Sequence, residues 1–218
     1  MPAPHHHPRR DDEGRPVQIL KPSAPTALGA WVDPCAQAVV VPGGPMPAEL
    51  HGVPFLSWQG VEAAAQWEAL AAQDQIDEPA FAALQGYAGA AGVVIQEADG
   101  RIWIVAPTNA YGGYLATFPK GTMSGKSAQA TALTEAFEES GLRVRLVRHL
   151  VDIRRSQSYT RYYLARRIGG CPADMGWESQ AVMLVPPAEL PKWLNSPYDQ
   201  AVAKLLGTDL EPGGNRNT

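Results

Sequence analysis

At 218 residues, 45 % of them hydrophobic, the chain can bury one ordinary core and still carry an extension, since single domains run about 50–200 residues. A formal net charge of −4 excludes a protein whose main task is to coat nucleic acid by bulk charge, while a nucleotide bound locally is compatible with it. Cys35 and Cys171 stand apart without metal-ligand spacing, and no long apolar run or secretory signal pattern is present; the expectation is a reduced cytoplasmic setting with no membrane partner.

Residues 1–15 hold prolines, like charges and almost nothing apolar, and read as a disordered tail in which His5, His6 and His7 are solvated. Residues 16–87 read as a small α+β extension. Ala38-Val39-Val40-Val41 is a strand closed by Pro42-Gly43-Gly44-Pro45, and the stretch from Val61 to Ala72 is a helix anchored by Trp67 and Leu70. A second helix is expected from Asp77 or Glu78, with Phe81, Leu84 and Tyr87 spaced along it. No chemistry is recognisable here. Acids such as Glu62, Glu68 and Asp74 read as surface, and a role in dimerisation or substrate recognition stays open, with a homodimer as the corresponding partner.

The main domain is expected over residues 88–206. Gly92-Val93-Val94-Ile95-Gln96 and Arg101-Ile102-Trp103-Ile104-Val105 flank Asp99-Gly100, a hairpin signal. Tyr114 to Phe118 reads as a strand leading into the informative stretch, Phe118 to Leu142, FPKGTMSGKSAQATALTEAFEESGL. This is a glycine-bearing loop followed by a helix, with Ser127 as its N-cap and Gly141 as its stop. Glu135, Glu138 and Glu139 project from one face, while Ala130, Leu133 and Phe137 form the core side. Acids in the last turns oppose the helix dipole at a cost of about 0.3–1 kcal/mol each, and like-charge neighbours cost roughly 0.2–0.5 kcal/mol more per pair. One reading of such a helix is a solvated acidic face; the other is a divalent cation, which reverses both penalties, Mg²⁺ or Mn²⁺ favouring such oxygen ligands.

With Phe118-Pro119-Lys120-Gly121 ahead of it, this stretch resembles the signature of the Nudix hydrolases, G-x5-E-x7-R-E-U-x-E-E-x-G-U, where U is apolar. Glu135 to Leu142 supplies E-U-x-E-E-x-G-U. The signature's first Glu falls on Lys126, its Arg falls on Thr134, and the loop after Gly121 is one residue short. The resemblance implies an α/β/α sandwich with a mixed sheet. It also implies metal-dependent hydrolysis of a phosphoanhydride in a nucleoside diphosphate linked to another moiety, such as a dinucleoside polyphosphate or an ADP-ribose-like compound. The alternative is a nucleotide-binding module of the same fold with weak or lost catalysis. By resemblance, Glu135, Glu138, Glu139 and the backbone at Gly121 are the Mg²⁺ or Mn²⁺ ligands, and Glu138 and Glu139 lie closest to the chemistry.

Beyond the signature, Leu142 to Ile153 and Tyr159 to Ile168 read as a long hairpin and Ala181 to Val185 as a strand. Pro187 to Leu194 and Pro197 to Leu206 read as helices, and residues 207–218 as a flexible tail. Glu178 is the candidate for a further acid, as ligand or base, or else an exposed loop residue. Trp177 beside it either stacks on a base or covers the core edge. Lys120 suits a phosphate oxygen, and Arg154, Arg155 and Arg161 are candidates for phosphate contacts or simple hairpin decoration. Tyr111 and Tyr114 border the pocket or pack a strand edge. Serine, cysteine and histidine nucleophiles lack partners, and Gly121 to Lys126 is too short for a Walker loop.

Overall fold

The structure is a computed structural model that describes residues 4–73 and 76–206. In chain order its elements are β1 (His6–Arg10), β2 (Pro16–Gln18), α1 (Gly29–Val32), β3 (Ala38–Val40), β4 (Glu49–Leu50), β5 (Val53–Pro54), α2 (Ala64–Ala71), β6 (Ala88–Gln96) and β7 (Ile102–Pro107). There follow a short 3-10 segment (Thr108–Gly113), β8 (Lys120–Thr122), α3 (Ala128–Ser140), β9 (Leu142–Arg154), β10 (Ser158–Gly170), β11 (Ser179–Val185), α4 (Leu190–Trp193) and α5 (Pro197–Leu206).

Seven strands form one mixed sheet in the order β3-β11-β7-β6-β10-β9, with β8 also paired to β6. Strands β6 and β10 run parallel and the other pairs antiparallel. The alternation of side chains along each strand builds a core on both faces. Along β7, Trp103 and Val105 enter one core while Ile102, Ile104 and Ala106 enter the other. Strand β11 repeats the division with Val182 and Leu184 against Ala181, Met183 and Val185. The first core is covered by α3 and by Trp31, Phe55 and Trp67 of the first 87 residues; the second is covered by α4 and α5 through Leu190, Leu194, Val202 and Leu206. This is the expected α/β/α sandwich.

The first core explains why α3 is buried on more than one side. Its alanines pack on the sheet, while Phe137 faces outward into the extension, with ring centroids 4.9 Å from Trp58 and 6.2 Å from Trp67. Phe137 is therefore a contact with the extension rather than with the sheet.

Three expectations need correction. His6–Arg10 pairs with Pro16–Gln18 as a hairpin, where the sequence reads as a tail; Ile19 N–H donates to His5 O at 2.8 Å and anchors it. No helix forms at residues 76–87. Pro79 lacks a donor, its carbonyl accepts a hydrogen bond from Arg161, and Phe81 stacks on Tyr159 with centroids 5.6 Å apart. Tertiary contacts thus override the apolar spacing. Tyr114 to Phe118 is also no strand: one bridge, Val105 to Thr117, is all its ladder. The tail at 207–218 and Asp74 lie outside the described residues.

Candidate active site

Helix α3 begins and ends where its capping residues require. Ser127 Oγ accepts the Ala130 N–H at 3.2 Å, and Gly141 takes the left-handed conformation at φ 69° with its N–H on Phe137 O. Glu68 of α2 also reaches this N-terminus: it accepts hydrogen bonds from Ser127 N–H at 2.6 Å and Ser127 Oγ–H at 2.8 Å. A carboxylate there complements the positive end of the dipole. Glu68 is thus a capping residue, supplied from 59 positions away, and no local signal announces it.

The last turns of α3 carry the acids to the foot of the Pro119-Lys120-Gly121 loop. Pro119 O accepts the Val93 N–H at 3.0 Å, laying the loop on β6. Gly121 lies directly against the Glu135 carboxylate, which a Cβ at this position would displace. Lys120 N–H donates to Glu139 Oε2 at 3.2 Å. The third segment of the site comes from the other side, where Gly176 N–H donates to Glu138 O at 2.7 Å. That bond fastens the Gly176-Trp177-Glu178 loop to α3 and brings Glu178 beside the helix acids.

Electrostatics follow from this crowding. Burial, then the charges of Glu139, Glu138 and Glu178, pushes Glu135 up to about 9, with Lys126 opposing. Burial also raises Glu139, to about 8; Lys120 opposes it while Glu178 and Glu138 add to it. Glu138 and Glu178 are exposed at the rim and are raised as well, chiefly by burial of their inner atoms, with Asp12 of the N-terminal hairpin contributing to both. Hard carboxylate oxygens that repel one another are the donor chemistry a divalent cation fits. Among the described residues, however, no three such groups stand in a ready metal cage. The donors fit, and a cation would have to draw them together.

Above the acids lies a cleft of about 590 Å³ lined by Lys120, Glu139 and Glu178 together with Tyr111, Tyr114, Trp177, Val17 and Asn109. Lys120 Nζ sits 5.1 Å from the Tyr114 ring centroid. Behind that ring, buried Arg155 donates to Tyr114 Oη at 3.2 Å, to Tyr162 Oη at 2.9 Å and to Asp199 Oδ1 at 2.6 Å. Thr117 Oγ1 donates to the other oxygen of Asp199, so a network anchored on α5 fixes the cleft's tyrosine wall.

A Nudix domain family model matches residues 86–205, more than half of the chain and all of the site except Val17 and Asp12. The chain belongs to the Nudix family. Solved structures similar to it include a Caenorhabditis elegans Ap4A hydrolase (17% identity, TM-score 0.46, 56% of this chain and 96% of that one). Others are a Streptococcus suis ADP-ribose pyrophosphatase (20%, 0.46, 57% and 94%) and a MutT protein from Methanosarcina mazei (12%, 0.47, 59% and 99%). No curated protein matches the chain.

Within the Nudix site the departures from the signature have clear surroundings. Thr134, at the arginine position, is fully buried and donates Oγ1–H to Ala130 O at 2.9 Å. Lys126, at the position of the first acid, acts electrostatically on Glu135 and Glu138. Two of the three arginines considered for phosphate contacts, Arg154 and Arg161, sit away from the cleft. Arg161 is 1% exposed and spent on Asp152, Glu78 and Pro79 O. Arg154, at the end of β9, lies 5.1 Å from the Tyr87 ring. Neither lines the cleft. Of the expected residues, the fold brings together Lys120, Gly121, Glu135, Glu138, Glu139 and Glu178. Asp12, Val17, Asn109 and the Arg155–Asp199 pair were not expected, because their partners lie far away in sequence.

Proposed function

We propose that this Nudix chain is an Mg²⁺- or Mn²⁺-dependent hydrolase of the phosphoanhydride in a nucleoside diphosphate linked to another moiety. The observation that carries the reading is that Glu139, Glu178 and Lys120 line one cleft, with Glu135 and Glu138 close enough to interact with those acids through their charge. Glu135, Glu138, Glu139 and the backbone carbonyl of Gly121 would hold the cation, which supplies charge neutralisation of the diphosphate and a more acidic water. Lys120 places a point charge at the cleft for a phosphate oxygen. Glu178, raised above the usual carboxyl value chiefly by burial, is a stronger base than a free carboxylate and is suited to take the proton of the attacking water. The Arg155–Asp199 network keeps Tyr114, and with it Lys120, in place.

A cytoplasmic setting belongs to the same reading, supported by free Cys35 and Cys171. Among the described residues no helix is long and apolar enough to cross a membrane. We place the Nudix domain at residues 88–206 and the extension at 16–87.

Nucleotide products separated by chromatography after incubation with ADP-ribose, dinucleoside polyphosphates and nucleoside triphosphates should appear only with Mg²⁺ or Mn²⁺. Glu139→Gln should lower kcat by about 10²-fold or more, the scale of removing one preorganised charge contact. Metal-independent rates, or an unchanged rate in that variant, would sink the reading.

A second reading is a nucleotide-binding module, favoured by Lys126 beside Glu135 and Glu138. Lys126→Glu separates the two. A gain of about tenfold in turnover or more, equivalent to ~1.4 kcal/mol, marks an impaired enzyme. Unchanged binding with no turnover favours the module.

A further inference from the structure

We infer that residues 12–21, which lie outside the Nudix match at 86–205, form a specificity-determining wall of the cleft, one that selects substrates carrying a flat aromatic group. This rests on the hydrolase reading above and names a feature of substrate that the acids do not read.

Val17 of β2 lines the cleft directly. Its neighbours hold the two aromatic segments opposite. Asp12 Oδ1 accepts the Trp177 Nε1–H at 3.1 Å. Asn109 Nδ2 donates to Gln18 O at 2.8 Å, and Asn109 Oδ1 accepts the Leu20 N–H at 2.8 Å. The Asn109 N–H donates to Gln180 Oε1, and Gln180 Nε2 donates in turn to Lys21 O.

These bonds hold a backbone that ordinary residues avoid. Asn109 and Ala110 have φ of 56° and 53°, the left-handed region, in succession. The strained turn carries Tyr111, which is 83% exposed at the cleft. Thr108 Oγ1, also in the lining, is spent on Trp177 O at 2.7 Å. The wall so built is therefore apolar and aromatic. Such a surface holds a planar ring by stacking and contributes nothing to a phosphate. The strap thus acts on the ring-bearing part of a substrate, while the carboxylates and Lys120 act on its phosphates.

The test is calorimetric titration of the full chain, with Mg²⁺ in excess, using ADP and inorganic pyrophosphate as probes. Wild type should bind ADP about tenfold more tightly than pyrophosphate, the scale of one ring–aromatic stack. Two variants follow: Asn109→Gly, which accepts the positive φ but unties the strap, and Trp177→Leu, which removes a ring from the wall and keeps it apolar. Each should weaken ADP about tenfold and leave pyrophosphate within about twofold; retained pyrophosphate binding also shows that the fold survives. Equal loss of both probes, or no loss of ADP, overturns the inference. If wild type binds pyrophosphate without preferring ADP, the inference falls and the hydrolase reading stands. If it binds neither, both fall.

Discussion

Single carboxyls set how the stability of this protein depends on pH. Glu135 and Glu139 move from the usual 4.5 to about 9 and about 8, first through burial and then through neighbouring acids, Glu139 and Glu138 for Glu135 and Glu178 and Glu138 for Glu139. A raised folded value means that the folded chain binds more protons than the unfolded chain between those limits. The stability these groups contribute is present in full below about 4.5 and is lost as pH rises through 8 to 9. Without divalent cation, Tm should fall on going from pH 5 to 9, by on the order of 5 °C. Mg²⁺ should restore more of it at pH 8 than at pH 5, because only ionised carboxylates take the metal. Differential scanning fluorimetry at several pH values checks both effects. A metal-free Tm that rises with pH would contradict the assignment, and Glu135→Gln should flatten the curve. The residue scale was also where sequence reading divided. The spacing of Glu135, Glu138 and Glu139 fixes their shared helix face, so it was legible. The fate of Arg161 was not, because its partners Asp152, Glu78 and Pro79 meet it only through the sheet and the coil before β6.

Among elements, those defined by their own chemistry could be read and those defined by contacts could not. Helix α3 runs Ala128–Ser140 between Ser127 and Gly141, as its caps dictate. The β9–β10 hairpin follows its apolar and β-branched runs, extending only slightly past the expected ends. The helix expected near residue 78 failed because Pro79, Phe81 and Glu78 each had a better tertiary use. The stop of α3 offers a sharp test. At Gly141 φ is 69°, and a Cβ would meet Cys171 O at 2.3 Å. Gly141→Ala must therefore bear the left-handed penalty, about 1–2 kcal/mol, and push away the turn that leads to Glu178. Chemical denaturation should show a loss at least that large. Activity at saturating Mg²⁺ should fall as well, since Gly176 hangs from the same helix end. A loss below about 0.5 kcal/mol, the range of an ordinary surface change, would show that the turn relaxes freely.

For the molecule as a whole, the composition suggested a domain plus an appendage, and the packing shows one joined body. Arg101 is fully buried. It pairs with Asp99 and donates to the carbonyls of Ala30, Trp31 and Ala36. Arg167, 5% exposed, pairs with Glu97 and donates to Leu50 O and Val53 O. Two cations of the sheet thus spend donors on the backbone of the first 87 residues, and Phe137 of α3 packs between Trp58 and Trp67. A chain beginning at Ala88 would keep the Nudix residues and the Asp99 and Glu97 partners but strip both guanidiniums of their carbonyl acceptors, and a hydrogen bond to a charged group contributes roughly 1.5–3 kcal/mol. It would also expose Phe137, where losing the facing rings removes part of a contribution of roughly 3–5 kcal/mol. Together these approach the whole stability of an ordinary domain, about 5–15 kcal/mol. The shortened chain should therefore be insoluble or lack a cooperative unfolding transition. Light scattering and circular dichroism against the full chain decide the matter. A soluble, cooperatively melting, monodisperse chain from Ala88 would make the extension an appendage after all, and equal masses for the two would remove any role for it in assembly.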